Sequence, residues 1–440
     1  MHLRVLIRFL TCCFMVFVCC SQYGEGQDRS DQAAHNEETL QYVVYLSRHG
    51  VRSPTKESSQ YDPYSEAPWP DWDVPPGYLT PHGYQLMKLF GSYDREQFAS
   101  RGLLTPSGCE DAARATILAD SDQRTRETGK ALAQGMFPGC SVEVHALPEG
   151  THDPLFHARG VGNTDPALAA AAISGRIGGD ANNLTNAYRL QLSALDRVLD
   201  GCGRGSSTHK QRISIFDVPA GLTQGDGDHR AELHGPLNTA STLTEDLLLE
   251  YTQGMAAANV GWGCIDGQSL RNLMQLHTAA ADFAQRTPIV ARMQASNLLD
   301  HILRAMEQQV TAKPIAGAPG KPGDRMLLLV GHDTNISVIA GALGINWIID
   351  GRRDDTPPGG ALVFELWRQQ AGGTYSVKIY YTAQTLEQMR DSSRLNAENP
   401  PARVPVFVPG CSTKDLSCAW ANFSSTVHQA TESAYTSAQR

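Results

Sequence analysis

The chain has 440 residues, 41% of them hydrophobic and 19% charged, so it can bury a large core and is too apolar to stay disordered. Its 37 basic and 46 acidic residues give a formal charge of −9; a chain starting near Gln22, without Arg4 and Arg8, would carry 35 against 46, or −11. That balance speaks against a general nucleic-acid or anionic-membrane binder, while a few clustered arginines could still build a pocket for small anions.

The N-terminus has Arg4 and Arg8 ahead of an apolar stretch, FLTCCFMVFVCC, over Phe9–Cys20. A basic start and a short apolar run are the pattern of an export signal, assigned here to residues 1–21, and the run falls short of the roughly 20 residues that span a bilayer. No membrane anchor is then expected after cleavage. Four of the ten cysteines lie in this segment, leaving Cys109, Cys140, Cys202, Cys264, Cys411 and Cys418. An even set in an exported chain reads as three disulfides, with 15 possible pairings, and no CxxC spacing suggests zinc.

Tyr42–Leu46 is a β-branched and aromatic run, read as a buried strand, ending in Ser-Arg-His-Gly. Residues 61–83 are rich in proline and aromatics and predict an ordered loop. A helix follows over Thr80–Phe98, a strand over Ala113–Leu118 and a helix over Glu127–Met136. Residues 151–284 change character, with alanine-rich helical patterns over Asp165–Ile177, Asn186–Leu199, Thr239–Gln253 and Ser269–Ala284. Arg286–Gln308 predicts a further helix, Met326–Val330 (MLLLV) the strongest buried strand, and Ala361–Trp367 with Tyr375–Tyr381 an antiparallel pair. The pattern is one α/β domain made of residues 38–150 and 285–426, interrupted over 151–284 by an inserted all-α unit.

Two features carry chemistry. Arg48-His49-Gly50-Val51-Arg52-Ser53-Pro54 places two guanidiniums beside an imidazole directly after a strand. Guanidiniums bind phosphate oxygens bidentately and stay charged. The pattern R-H-G-x-R-x-P would arise by chance in roughly one chain in ten thousand of this length. His332-Asp333 follows the MLLLVG run; alone such a dipeptide carries no signal, but paired with Arg48-His49 it is specific. With these two elements the chain resembles the histidine acid phosphatases, branch 2 of the histidine phosphatases, and most closely the bacterial periplasmic phytases among them. The segments SRHGVRSPTK, DSDQRTRETG, QRTPIVAR, GHDTN and TPPGGALVFELW recur in that subgroup's order, covering about Tyr42–Phe423.

The resemblance implies a central mixed sheet flanked by helices with a smaller all-α insertion, and a site at the carboxyl ends of the strands. It implies that Arg48, Arg52, Arg124 and His332 bind phosphate and that His49 attacks phosphorus to form a phosphohistidine. Asp333 would protonate the leaving oxygen and then activate water. An acid pH optimum follows from the need for a protonated Asp333. No metal or other cofactor is required, because the arginines supply the positive charge. The cysteine pairing 109–140, 202–264 and 411–418 rests on proximity and the resemblance alone.

For substrate, Thr55, Lys56 and Thr334 match the subgroup's contacts, and Glu245 and His277 fall where it lines its pocket; a solvated helix acid and a partly buried histidine are the alternative for the last two. Thr242, Ala281 and Gln294 stand where close relatives carry Met, Phe and Arg, which implies a wider, less basic pocket. The implied activity is that of a phytase acting on inositol hexakisphosphate, with a general acid phosphatase, a glucose-1-phosphatase or a non-catalytic phosphate-binding protein as alternatives. A monomer in the periplasm, or secreted, acting on a small phosphomonoester and on no nucleic acid, completes the expectation. Gly225–His229 is read as a turn and not a calcium loop, and the sequon at Asn335 as chance because a glycan there would block the site.

Overall fold

The computed structural model describes residues 38–162, 164–203, 212–225, 227 and 229–437. The expected export signal, the polar lead-in up to residue 37, and Asp226 and Asp228 of the predicted turn lie outside the described residues.

Among the described residues twelve strands form, in chain order: β1 (Glu38–Arg48), β2 (Ala115–Ala119), β3 (Val144–His145), β4 (Gly221–Gln224), β5 (Ala231–His234), β6 (Met326–Gly331), β7 (Ile348–Ile349), β8 (Arg352–Arg353), β9 (Ala361–Gln369), β10 (Tyr375–Ala383), β11 (Ala402–Val406) and β12 (Ser417–Ala419). The helices are α1 (Pro81–Ser100), α2 (Gln123–Met136), α3 (Pro166–Arg176), α4 (Asn182–Ala187), α5 (Arg189–Leu199), α6 (Pro236–Thr252), α7 (Gly267–Ala284), α8 (Pro288–Thr311), α9 (Asp333–Leu343), α10 (Leu386–Arg390) and α11 (Trp420–Ala430). Eight strands make one sheet in the order β11-β10-β9-β1-β6-β2-β3, with β12 also paired to β10. The sheet is mixed: β1, β6, β2 and β3 run parallel, while β9, β10, β11 and β12 continue it antiparallel. This is the α/β architecture with a central mixed sheet expected from the pattern of elements.

Strand β1 sits in the middle, so both of its faces are covered. Tyr42, Val44 and Leu46 enter one core with Leu327, Leu329 and residues of α8, α9 and α11 such as Ile302, Ile336 and Phe423. Leu40, Val43 and Tyr45 enter the opposite core with Met326, Leu328, Val330 and, from α1 and α2, Phe90 and Leu132. The alternation slips by one between Leu40 and Tyr42, where β1 carries an extra residue against β9. A third cluster gathers Leu195 of α5, Leu243 and Leu247 of α6 and Leu270 and Leu273 of α7.

Within 151–284 the described residues hold helices α3–α7 and also the antiparallel hairpin β4–β5, which an all-α unit does not include. The long loop before α1 holds two single 3₁₀ turns, Ser58–Gln60 and Asp62–Tyr64, where proline at the first turn is compatible with the fixed backbone angle. Disulfides join Cys109 to Cys140, Cys202 to Cys264 and Cys411 to Cys418, the expected pairing.

Candidate active site

The parallel strands β1, β6 and β2 lie side by side and end at one edge of the sheet. Each delivers charged side chains there: Arg48 at the end of β1 and His49 after it, His332 and Asp333 after β6, and Asp120 after β2, with Arg124 in the first turn of α2. The turn at His49 is pinned by the backbone, with Arg48 N–H donating to Gly360 O (2.9 Å) and His49 N–H to Gly331 O (3.0 Å). Gly331 is required by close packing: a Cβ there would lie 2.4 Å from Asn335 Oδ1 and 2.8 Å from the Phe156 ring. That space lets Asn335 Oδ1 accept from His332 N–H at 2.9 Å while its amide donates to Phe156 O at 2.6 Å.

Arg48 is 1% exposed and donates to Thr356 O (2.6 Å) and to Glu245 Oε1. Burial alone would lower its pKa, but Glu245 and Asp333 outweigh burial and raise it. Arg52 lies 3.4 Å from the same Glu245 oxygen. Arg124 donates toward His332 Nδ1 (3.4 Å) and pairs with Asp122 at 2.5 Å.

His49 sits among these cations, 2% exposed. Burial first, then Arg124, Arg48, Arg52 and His332, hold its pKa well below the ordinary histidine value, so its imidazole is neutral. Its Nδ1 lies 2.9 Å from Gly50 O. A carbonyl only accepts, so Nδ1 carries the proton and Nε2 presents a lone pair. A neutral imidazole ringed by guanidiniums is equipped to attack an electrophile that arrives with its own negative charge.

Asp333 opens α9, with its Oδ2 3.5 Å from Arg48 and 3.9 Å from His277 Nε2. Burial would raise its pKa, but Arg48, His277, His332 and Arg52 together hold it well below the usual carboxylate range. In this arrangement the surrounding cations favour the carboxylate form of Asp333, whereas the sequence-based expectation was of an acid.

The two residues drawn from the helical segment come to the same place. Glu245 of α6 bridges Arg48 and Arg52 from beneath, and its Oε2 lies 3.4 Å from His277 Nε2. Burial pushes its carboxyl up, but Arg48, His277 and Arg52 bring it below its ordinary value. His277 of α7 is also held by Ser241 Oγ at 3.1 Å. A cavity of about 340 Å³ is lined by His49, Arg52, Thr55, Arg124, His332, Asp333 and Thr334. Gln294 and His157 line it too. It shares Asp333 and His229 with a second cavity of about 330 Å³ between β5 and α7, where Ala281 lines the wall. Lys56 is exposed and lines neither, and Thr242 points to solvent from α6.

Sequence reasoning missed Asp120 and His157. The Asp120 carboxylate accepts from both His332 Nε2 (2.6 Å) and His157 Nε2 (2.8 Å). Asp120 had a signal, since it directly follows a strand as His49 and His332 do; His157 stands in a loop with no motif around it. Among the described residues two clusters have metal-ligand types within reach of one another, Asp120 with His157 and His332, and Glu245 with His277 and Asp333. A guanidinium faces each, Arg124 and Arg48 respectively, supplying the positive charge that a cation would otherwise bring.

The family model for the histidine phosphatase superfamily (branch 2) matches residues 39–382. The chain belongs to that family. Phytase AppA of Escherichia coli is 36% identical over 404 residues, covering 89% of this chain and 92% of the relative. A glucose-1-phosphatase of Providencia rettgeri is 29% identical, with 89% and 92% coverage. Among solved structures, Hafnia alvei phytase in complex with tartrate superposes with a TM-score of 0.83 at 36% identity, covering 91% of this chain and 99% of the other. Citrobacter braakii phytase gives 0.82 at 35%, with 90% and 99%. In this histidine phosphatase the two sequence motifs that suggested the family are the two that meet at the cavity, His49 and His332 having their ring centres 5.7 Å apart.

Proposed function

We propose that the protein is an acid phosphomonoesterase that works through a phosphohistidine, and that it is a phytase releasing phosphate from inositol hexakisphosphate. The observation that carries this reading is His49: buried, neutral, with Nε2 unprotonated and guanidiniums around it. A phosphate monoester resists attack because its oxygens are negative and its alkoxide leaves poorly. Arg48, Arg52 and Arg124, with His332, surround the non-bridging oxygens and offset that charge. His49 Nε2 attacks phosphorus as the ester P–O bond breaks, and Asp333 gives its proton to the departing oxygen. Asp333, now a carboxylate, takes a proton from water, which attacks the phosphohistidine; the P–N bond breaks and inorganic phosphate forms. A bound phosphate dianion cancels the field of Arg48 and Arg52 on Asp333 and so restores its affinity for the proton, which is why acid pH favours turnover.

The same reading takes residues 38–150 and 285–426 as one phosphatase domain and 151–284 as its insertion, since Glu245 and His277 reach the strand-end arginines from that segment. It keeps the export signal, a periplasmic location and a monomer as its accompanying proposals. Phytases at 35–36% identity favour inositol hexakisphosphate as substrate. A glucose-1-phosphatase is the second reading, favoured by the cavity beside Asp333, whose walls hold His229, Glu232, His234 and Ala281 but, among the described residues, no lysine or arginine.

The test is phosphate release by the purified mature chain in chelator, at acidic and neutral pH, from inositol hexakisphosphate, an aryl phosphate and glucose 1-phosphate, beside His49→Ala. Release from the inositol substrate at acid pH, lost in the variant, is the expected result. Preference for glucose 1-phosphate moves the assignment to the second reading, and no release from any substrate overturns the enzyme.

A further inference from the structure

Asp120 is fully buried, and a single oxygen, Oδ2, holds two imidazoles, His332 at 2.6 Å and His157 at 2.8 Å. A carboxylate only accepts, so both Nε2 atoms carry protons. On the other side of His332 stands Arg124 Nη2, which only donates, 3.4 Å from Nδ1. His332 therefore turns a lone pair toward the Arg124 side of the cavity. A phosphate oxygen arriving there meets repulsion until Nδ1 also takes a proton, and the imidazolium formed draws on the charge of Asp120. His157 draws on that same oxygen.

We infer that His157 is a positioning residue, which shares the Asp120 carboxylate with His332 and so limits the pH range over which His332 offers an N–H to a phosphate. The inference rests on the reading of His332 as a phosphate ligand. The groups facing His332 are His49 beyond β1, Asp120, Asp122 and Arg124 beyond β2, the neighbouring Asp333, and His157. Burial lowers the His332 pKa most; the Asp120 hydrogen bond raises it, and Arg124 and His157 act against Asp120. The rings continue outward, His332 to His157 at 5.5 Å and His157 to the exposed-side His152 at 5.2 Å, so His157 links the buried pair to the surface.

The experiment measures the inhibition constant of sulfate against an aryl phosphate, because sulfate is tetrahedral and keeps its charge from about pH 4 to about pH 8. In His157→Phe the Asp120 charge falls to His332 alone. The pH at which sulfate affinity is half lost is expected to rise by roughly half a unit or more. His157→Asn, which still donates but takes no charge, is expected to rise by less. An unshifted midpoint in His157→Phe overturns the inference, even where activity falls, because loose packing lowers the curve without moving it. Should that variant not fold, imidazole titration of the wild type by NMR decides: interdependent curves for His332 and His157 support the sharing, and independent one-proton curves overturn it. His332→Gln separates the two readings. Undiminished sulfate affinity there removes His332 as a phosphate ligand; lost affinity there with no shift in His157→Phe removes only the role of His157.

Discussion

At the residue scale the site is a balance of buried charges, and Glu245 is its counterweight. Arg48 is 1% exposed and Glu245 6%, so neither charge is hydrated. In Glu245→Gln the buried guanidinium loses its hydrogen-bonded carboxylate and keeps only the weaker pull of Asp333 and Asp355, a loss of about 3 kcal/mol or more for a broken buried pair. Inorganic phosphate supplies the missing anion, so thermal scans should find a lower Tm for Glu245→Gln and a larger rise on adding phosphate than in the wild type. Asp333→Asn tests the other carboxyl: kcat should fall steeply for an alkyl phosphate and much less for an aryl phosphate, whose leaving oxygen needs no proton. Equal losses on both substrates would contradict a proton-donor role. Arg48, His49, Arg52, His332 and Asp333 were legible because their motifs are dense in unusual residue types. Asp120 and His157 were not, because they meet across 37 residues of sequence through one carboxylate oxygen.

At the scale of elements, α6 carries carboxyls in two opposite states. Glu245 is held ionised by the arginines, while two positions on the same helix are held neutral by burial, Asp246 well above its ordinary value and Glu250 up to about 8, the latter still accepting from Gly261 N–H at 2.8 Å. Asp94 on α1, also pushed by burial to about 8, behaves likewise. Such groups bind a proton more tightly folded than unfolded. Their contribution is whole below about pH 4 and is lost as pH rises through about 8. Tm should therefore fall from pH 5 to pH 8, and Glu250→Gln with Asp94→Asn should flatten that slope; a slope unchanged in the double variant would refute the cause. Element recognition followed burial. β1 and β6 were legible because strands buried on both faces read as apolar runs. β11 was missed because it is an edge strand with alternate residues exposed and Pro405 in its ladder, a tolerated position only at an edge. Helix α9 was missed because its first turn, Asp333-Thr-Asn335, reads as a motif loop, and α2 was begun four residues late for the same reason.

For the whole molecule, the disulfides differ in what they restrain. Cys202–Cys264 closes 62 residues and encloses α6 with Glu245, whereas Cys411–Cys418 closes 7. On loop entropy the first contributes ~4 kcal/mol and the second ~2 kcal/mol. Replacing Cys202 and Cys264 by serine should lower Tm more than replacing Cys411 and Cys418, and phosphate should narrow the gap by holding the arginines that Glu245 grips; equal losses would speak against the loop account. The pairing of β1 with β6 has a further consequence. Val43 lies opposite Met326, so the imidazole near the start of the sheet waits for a partner strand translated almost three hundred residues later. Until β6 has inserted between β1 and β2, no His332 or Asp333 stands beside His49. An emerging chain thus lacks its assembled site for most of its synthesis, until β6, the last of the parallel strands, docks between β1 and β2.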